Sequence, residues 1–290
     1  MSSILITGAA GGIGSQTVAK FSSRGWTVFA SDHTEAIARV AHGGRPGVHP
    51  LGLDVTSEQS VSVARAQISA QLEGRALDVV VNNAGIGLMG PITEMRDEDA
   101  RQMFEVNALG VLRVSRAFAP QMAERGAGRI INIGSLAGIC TIPFLGAYCA
   151  SKHAVEAITD AMRIELLPRG VRVSLVQPAI VNTGFVEKAM TSLHGYAQQS
   201  QLWRAPLEKT SSLRLALKRT ELSPEVVAHT VLRAATARWP RARYPVGRMA
   251  TILIGLMKLL PTFVGDGMLR SAVALNRGDL ALNPRLGSPS

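Results

Sequence analysis

Tyr148 and Lys152 stand four residues apart in Tyr148-Cys149-Ala150-Ser151-Lys152, and Ser135 lies upstream with twelve residues between it and the tyrosine. On a helix, side chains at i and i+4 share one face. The spacing therefore predicts an ammonium beside a phenol. A nearby cation favours phenolate and pulls a tyrosine down from its reference pKa of about 10. That would make Tyr148 a general base. Alone, the pair more often reads as a solvated helix face, because helix geometry supplies such pairs cheaply. The chain that precedes it shifts the balance.

Thr7-Gly8-Ala9-Ala10-Gly11-Gly12-Ile13-Gly14 follows the apolar run Ile4-Leu5-Ile6. A buried strand that ends in glycines and opens onto a helix makes a phosphate site: the backbone can approach a pyrophosphate, and free N–H groups face the anion. The spacing of Gly8, Gly12 and Gly14 departs from G-x-G-x-x-G, so the fingerprint does not strictly apply. Trp26-Thr27-Val28-Phe29-Ala30-Ser31 reads as a second strand with Asp32 at its end. An acid there accepts hydrogen bonds from an adenosine ribose and repels a 2′-phosphate. NAD is expected over NADP, with a protonated His33 the one residue that would soften the preference.

These residues need a scaffold. Candidate strands are Ile4–Thr7, Thr27–Ser31, Val48–Asp54, Leu77–Asn82, Arg129–Gly134, Arg172–Gln177 and Arg243–Val246, with helical patterns between them such as Ser57–Leu72 and Asp97–Arg125. Strands alternating with helices imply a parallel sheet covered on both faces. Ser57 reads as a helix cap. Asn107 falls inside a predicted helix although asparagine competes for backbone groups, which is explained if the site gives it partners. Residues 182 to 222 break the alternation and read as an irregular lid or binding loop.

With these motifs in order, the chain resembles the short-chain dehydrogenase/reductase family over about residues 3 to 183, and more loosely to about 247. The resemblance implies a single-domain α/β fold, a Rossmann-type doubly wound parallel sheet of about seven strands over residues 1–247, with a substrate lid at about 182–222 and a C-terminal apolar extension over 248–290. It implies cofactor contacts from Gly8, Gly12, Ile13 and Gly14, from Asp32, from Asp54 and Val55 at the adenine, and from Asn83, Ala84 and Gly85. Pro178, Val181 and Thr183 would flank the nicotinamide. Asn107, Ser135, Tyr148 and Lys152 match the catalytic positions: Ser135 would orient the substrate oxygen, and Asn107 would position Lys152 through a water. Lys152 would also hold the nicotinamide ribose. No metal is expected. One departure is Pro178-Ala179, where the family has Pro-Gly; alanine takes φ > 0 less readily.

The residues expected around the substrate, Leu88, Met89, Leu136, Ile139, Ile142, Phe144, Leu145, Phe185 and Met190, are almost wholly apolar. Apolar pockets select by shape and area. A lipophilic secondary alcohol or its ketone is expected, and residues 83–91 with 243–247 resemble the hydroxysteroid and retinol dehydrogenase branch. A ketoacyl-thioester reductase and a non-catalytic nucleotide sensor on the same fold are the rivals. The resemblance also implies a homodimer or homotetramer built through the helices around Asn107 and Tyr148.

Composition bounds the rest. The chain has 290 residues, 47% of them apolar, enough for a sizeable core and too apolar for disorder. Cys140 and Cys149 fit neither a metal spacing nor a disulfide scaffold, so a reducing, cytoplasmic setting is expected. The chain enters its first strand within three residues, so no signal peptide is expected. The net charge is +10, densest at Arg238, Arg241, Arg243 and Arg248 with Trp239 and Tyr244 interleaved. That cluster reads as solvated surface rather than a nucleic-acid site. Met249 to Leu260 is very apolar, too short to span a bilayer, and ends at Pro261. It would cover the pocket or a subunit interface, make peripheral membrane contact, or fold back on the core.

Overall fold

Alternate residues of the central strands enter opposite hydrophobic layers. Ile4, Ile6, Val79, Val81, Ile131 and Ile133 face one layer, and Leu5, Val80 and Ile130 the other, as the period of two in a strand requires. The computed structural model describes residues 2–33, 36–37, 44–208, 210, 221–247, 251–252, 255–256, 259–272 and 275. Its strands are β1 (Ser3–Thr7), β2 (Thr27–Asp32), β3 (Val48–Gly52), β4 (Val79–Asn82), β5 (Gly128–Ile133), β6 (Val171–Pro178) and β7 (Arg243–Val246). They form one parallel sheet in the order β3-β2-β1-β4-β5-β6-β7. The protein is a single-domain α/β structure of the doubly wound Rossmann type.

Helices α1 (Gly12–Ser22) and α7 (Pro224–Thr236) cover the first layer through Val18, Phe21, Val227 and Val231. The second is covered by α2 (Glu58–Gln71), α4 (Gly110–Arg125) and the end of α5 (Gly146–Leu166), through Val61, Ile68, Val114, Phe118 and Met162. Ser57 caps α2 as expected, accepting from Ser60 N–H at 3.1 Å. The remaining helices are α3 (Asp97–Phe104), α6 (Phe185–Gln199) and α8 (Thr262–Ala272). Because every strand runs the same way, all carboxyl ends share one rim. The order reverses between β1 and β4, and open α/β sheets hold ligands in the crevice at that reversal.

The structure corrects three expectations. The predicted helix 97–125 is three pieces: α3, a π-helical turn over Glu105–Leu109, and α4. Asn107 lies inside that turn. Much of the stretch read as irregular, 182–222, is helical: α6 buries Ala189, Leu193, Tyr196 and Ala197. The basic cluster is also not one surface. Arg238 and Arg241 are exposed ahead of β7, at the rim where strands begin, whereas Arg243 lies within the strand and pairs with Glu156 and Asp160. Arg248, half of the segment 249–260, and most of 273–290 lie outside the described residues. Among the described residues no helix is long and apolar enough to cross a membrane.

Candidate active site

The glycine turn is held by the end of β4. Asn83 Nδ2 donates to the carbonyls of Thr7 and Gly8 at 2.9 and 3.0 Å. Thr7 Oγ1 accepts from the N–H groups of Asn83 and Ala84, both at 3.0 Å. Gly8 has φ +65°, and a Cβ there would press on the Ala84 backbone at 2.9 Å. At Gly14 a Cβ would strike the Gly8 carbonyl at 2.1 Å. The turn is thus closed enough to exclude side chains, and α1 begins at Gly12 with no side-chain cap and no acid in its first turn. N–H groups in that setting suit a phosphate. Asp32 supports the turn directly, since Oδ2 accepts from Ala10 N–H at 2.9 Å and Oδ1 from His33 N–H at 2.9 Å. A pyrophosphate with a ribose diol beyond it fits this donor set and carboxylate.

Other residues read as cofactor contacts spread along the same rim. Leu53 N–H donates to the Asp32 carbonyl at 2.8 Å, bringing the end of β3 beside that of β2. There Asp54 is exposed, its Oδ1 accepting from Thr56 N–H at 2.8 Å. Val55 is buried under Gly110, and Ile13 packs against the first layer. Thr183 comes over the glycine turn, where a Cβ on Gly12 would meet its side chain at 2.8 Å. Val181 bridges to Leu222. Ala179, one residue past Pro178, donates to the Val246 carbonyl at 3.2 Å and is not among the residues of positive φ. The alanine is therefore accommodated in ordinary backbone.

Two of the four residues matched to catalytic positions, Asn107 and Lys152, flank Gly85. A Cβ on Gly85 would lie 3.2 Å from Asn107 Oδ1 and 3.8 Å from Lys152 Nζ. Ser135 lies two residues past the end of β5 and caps a short turn, accepting from Ala137 N–H at 3.1 Å. Its hydroxyl lies on the Tyr148 phenol's side and favours the phenolate. Lys152 Nζ donates to the Ile133 carbonyl at 2.9 Å and lies 5.9 Å from the centre of the Tyr148 ring. The expected adjacency on α5 is present, but the expected electrostatics are reversed. Burial pushes Tyr148 up to about 12, with Ser135 only partly opposing it. Burial likewise pushes Lys152 down to about 8. Desolvation disfavours both charged forms.

Asn107 is held by direct hydrogen bonds of its own. Its Nδ2 donates to the Ile86 carbonyl and to Ser151 Oγ, both at 2.9 Å, and its Oδ1 accepts from Ile86 N–H at 2.8 Å. Both amide hydrogens are thereby used, so its direct partners are Ile86 and Ser151 rather than Lys152. Ser151 Oγ in turn donates to the Tyr148 carbonyl at 2.7 Å. The sequence reading missed Ser151, although its place between Tyr148 and Lys152 was a usable signal.

An apolar lobe roofs the cleft. Met89, Phe144, Leu193, Tyr196 and Leu207 are buried together, with Leu145, Met190 and Trp203 beside them. Phe185 packs against the Tyr148 ring at 5.5 Å between centres. It also lies so close to Gly87 that a Cβ there would come within 2.3 Å of it. The lobe is fastened through α6: Ser192 Oγ accepts from Met89 N–H at 2.7 Å. Tyr196 Oη donates to Asp99 Oδ2 at 2.8 Å and accepts from Arg96 N–H at 3.0 Å. Among the described residues no three His, Cys, Asp or Glu side chains are placed to hold a metal.

The fold and this rim define a dinucleotide-dependent oxidoreductase class. The short chain dehydrogenase profile matches residues 2–193. The chain is 32% identical over 253 residues to 17-beta-hydroxysteroid dehydrogenase type 1 of Homo sapiens, covering 83% of this chain and 76% of that one. It is 33% identical over 264 residues to an NADPH-dependent 3-dehydrocapnine reductase of Ornithobacterium rhinotracheale, covering 89% and 92%. A short chain dehydrogenase/reductase from Burkholderia phymatum, solved in complex with NAD, superposes with a TM-score of 0.75 at 29% identity, covering 88% and 92%. The chain belongs to the short-chain dehydrogenase family and is an NAD(P)-dependent oxidoreductase acting on CH–OH groups.

Proposed function

We propose that the protein interconverts a lipophilic secondary alcohol and its ketone, a hydroxysteroid-like compound being favoured, with NAD as its preferred dinucleotide. The observation that carries the reading is the placement of Tyr148 between Ser135 and Lys152, with Phe185 of the apolar roof against its ring. Gly8, Gly12, Ile13 and Gly14 would hold the pyrophosphate, Asp32 the ribose, and Asp54 and Val55 the adenine. Asn83, Ala84, Gly85, Pro178, Val181 and Thr183 would frame the nicotinamide half. When bound, the dinucleotide accepts or supplies the hydride.

Proton movement is the work of this chain's own residues. Ser135 Oγ donates to the substrate oxygen and fixes its orientation. Tyr148 Oη takes the alcohol proton in oxidation and returns it to the ketone oxygen in reduction. A phenol held neutral up to about 12 suits the donor role, whereas oxidation needs the phenolate and gains as pH rises. Lys152 stands ready as the cation that favours phenolate, and Asn107 is a positioning residue acting through Ile86 and Ser151. Phe185 and the lobe of Met89, Phe144 and Met190 exclude water and select apolar substrates. Residues 182–222 act as the substrate lid, and 248–290 as an extension of the domain 1–247. Exposed Phe104, Leu109 and Leu112, on the helical run around Asn107, support a homodimer or homotetramer built through that run and the helix of Tyr148.

Asp32 supports NAD, while the NADPH-dependent relative makes ketone reduction with NADPH the second reading. Steroids, retinoids, aliphatic secondary alcohols and ketoacyl thioesters, assayed with both dinucleotides in parallel, separate the two. Tyr148→Phe is expected to lower turnover by about 10² to 10⁴ with dinucleotide affinity nearly unchanged. Substantial residual turnover in that variant would remove Tyr148 from its role.

A further inference from the structure

The chain leaves the sheet at Val246 and Gly247, and Thr251 N–H donates to the Gly247 carbonyl. Beyond this point Ile252, Leu256 and Leu259 recur at i, i+4 and i+7, one stripe by helical spacing, and Phe263 follows on α8 after the break at Pro261. All four face outward, Leu259 with 84% and Phe263 with 74% of their surface exposed. Met268 on α8 is exposed as well. Just past α8, Leu275 packs against the lobe that contains Met89, Phe144 and Tyr196. The stripe therefore runs from the edge strand, at the rim where strands end, toward the roof of the cleft. Single exposed apolar side chains need no explanation, but a run of five does.

Charge selects the partner. Between positions 248 and 277 the sequence has Arg248, Lys258, Arg270 and Arg277 against Asp266 alone, and the whole chain carries +10. Arg270 is exposed on α8. A two-fold contact between copies would set this basic, apolar strip against itself, like charge on like. Anionic headgroups over an acyl interior complement both of its properties at once. No described helix is long enough to span, so such a segment would lie in the plane of the surface. We propose that the exposed apolar side chains Ile252, Leu256, Leu259, Phe263 and Met268 dock the protein on an anionic phospholipid surface, with the roof of the cleft beside the bilayer.

The test is co-sedimentation of the full chain with vesicles of phosphatidylcholine, alone or mixed with phosphatidylglycerol. The protein should pellet with the mixed vesicles at low ionic strength, far less with phosphatidylcholine alone, and return to the supernatant as salt rises. Leu259→Glu/Phe263→Glu should weaken partitioning by about tenfold or more, since both side chains would otherwise be buried in acyl chains. Arg270→Glu should weaken it about several-fold through charge alone. Thermal unfolding midpoints of these variants should match the parent, because the side chains face solvent. A parent that ignores both vesicle types, or a double variant that pellets like the parent, would overturn the proposal. So would a parent indifferent to vesicles whose particle mass halves in the double variant, since the strip would then be a contact between copies. No dinucleotide or substrate is used, so the outcome is independent of the substrate reading.

Discussion

At the scale of single residues, Lys152 is the most informative group, because burial rather than pairing sets its behaviour. Its ammonium is pushed from the usual 10.5 down to about 8. Between those values the unfolded chain still holds a proton that the folded chain has released. The stability this supplies is complete above about 10.5 and is lost as pH falls through 8; the full difference is about 3 kcal/mol. Tyr148 works the other way: stability from its neutral phenol is intact below 10 and is lost as pH rises through 12. Between 8 and 10 the lysine is clear of the tyrosine, and comparison with a Lys152 variant cancels the buried thiols of Cys140 and Cys149, which burial pushes up. Over that interval the parent should gain thermal stability relative to Lys152→Met, as read by unfolding midpoints across a pH series. Parallel curves would show that the ammonium is not buried as described. The sequence placed these two side chains together because helix spacing is local. It misjudged the phenol's direction because the burial comes from Phe185, distant in sequence.

At the scale of elements, α6 decides how the cleft is covered. Tyr196 joins it to Arg96 and Asp99 at the start of α3, and a Cβ on Gly90 would lie 2.6 Å from the Tyr196 ring. Tyr196→Phe keeps the ring, leaves Arg96 N–H without its acceptor and leaves Asp99 with the Arg96 guanidinium alone, at a cost of about 1–3 kcal/mol. We expect KM to rise more than kcat falls in this variant, with a lower unfolding midpoint. An unchanged KM would mean that the roof does not need this fastening. The helix was partly legible: Ala189, Leu193, Tyr196 and Ala197 follow i, i+4, i+7 and i+8, but His194-Gly195 between them hid the period. The π-helical turn around Asn107 was not legible, because one extra residue in a turn is fixed by what packs on it. Its only trace was an asparagine in an otherwise helical run. Ser57 as a cap and all seven strands could be read, with ends within one or two residues, because caps and short apolar runs rich in β-branched residues are local signals.

At the scale of the whole molecule, Arg243 joins the last strand to the helix that carries Tyr148 and Lys152. Its Nε donates to Glu156 Oε2 at 3.0 Å, and its Nη1 and Nη2 donate to Asp160 at 3.1 and 2.6 Å. Glu156 also accepts from Gln177 on β6 at 2.6 Å. The fork holds the Asp160 carboxyl below the usual carboxylate range. This stabilisation is present above that range and is lost in acid as pH falls through the lowered value. Arg243→Met should cost about 1–3 kcal/mol in chemical denaturation and lower kcat by loosening α5. A variant as stable and active as the parent would reduce the fork to a surface contact. The distant ends of this network were invisible in sequence, where Arg243 looked like part of a basic patch. The single direction of the seven strands has a practical consequence. Ser3 begins β1 on the rim that also carries exposed Arg238, Trp239 and Arg241, with the length of the sheet between it and the glycine turn. A bead or affinity handle joined ahead of Ser3 would hold the enzyme by its blunt end and leave its mouth free, whereas a tether fused beyond Leu275 would start beside the roof and crowd it.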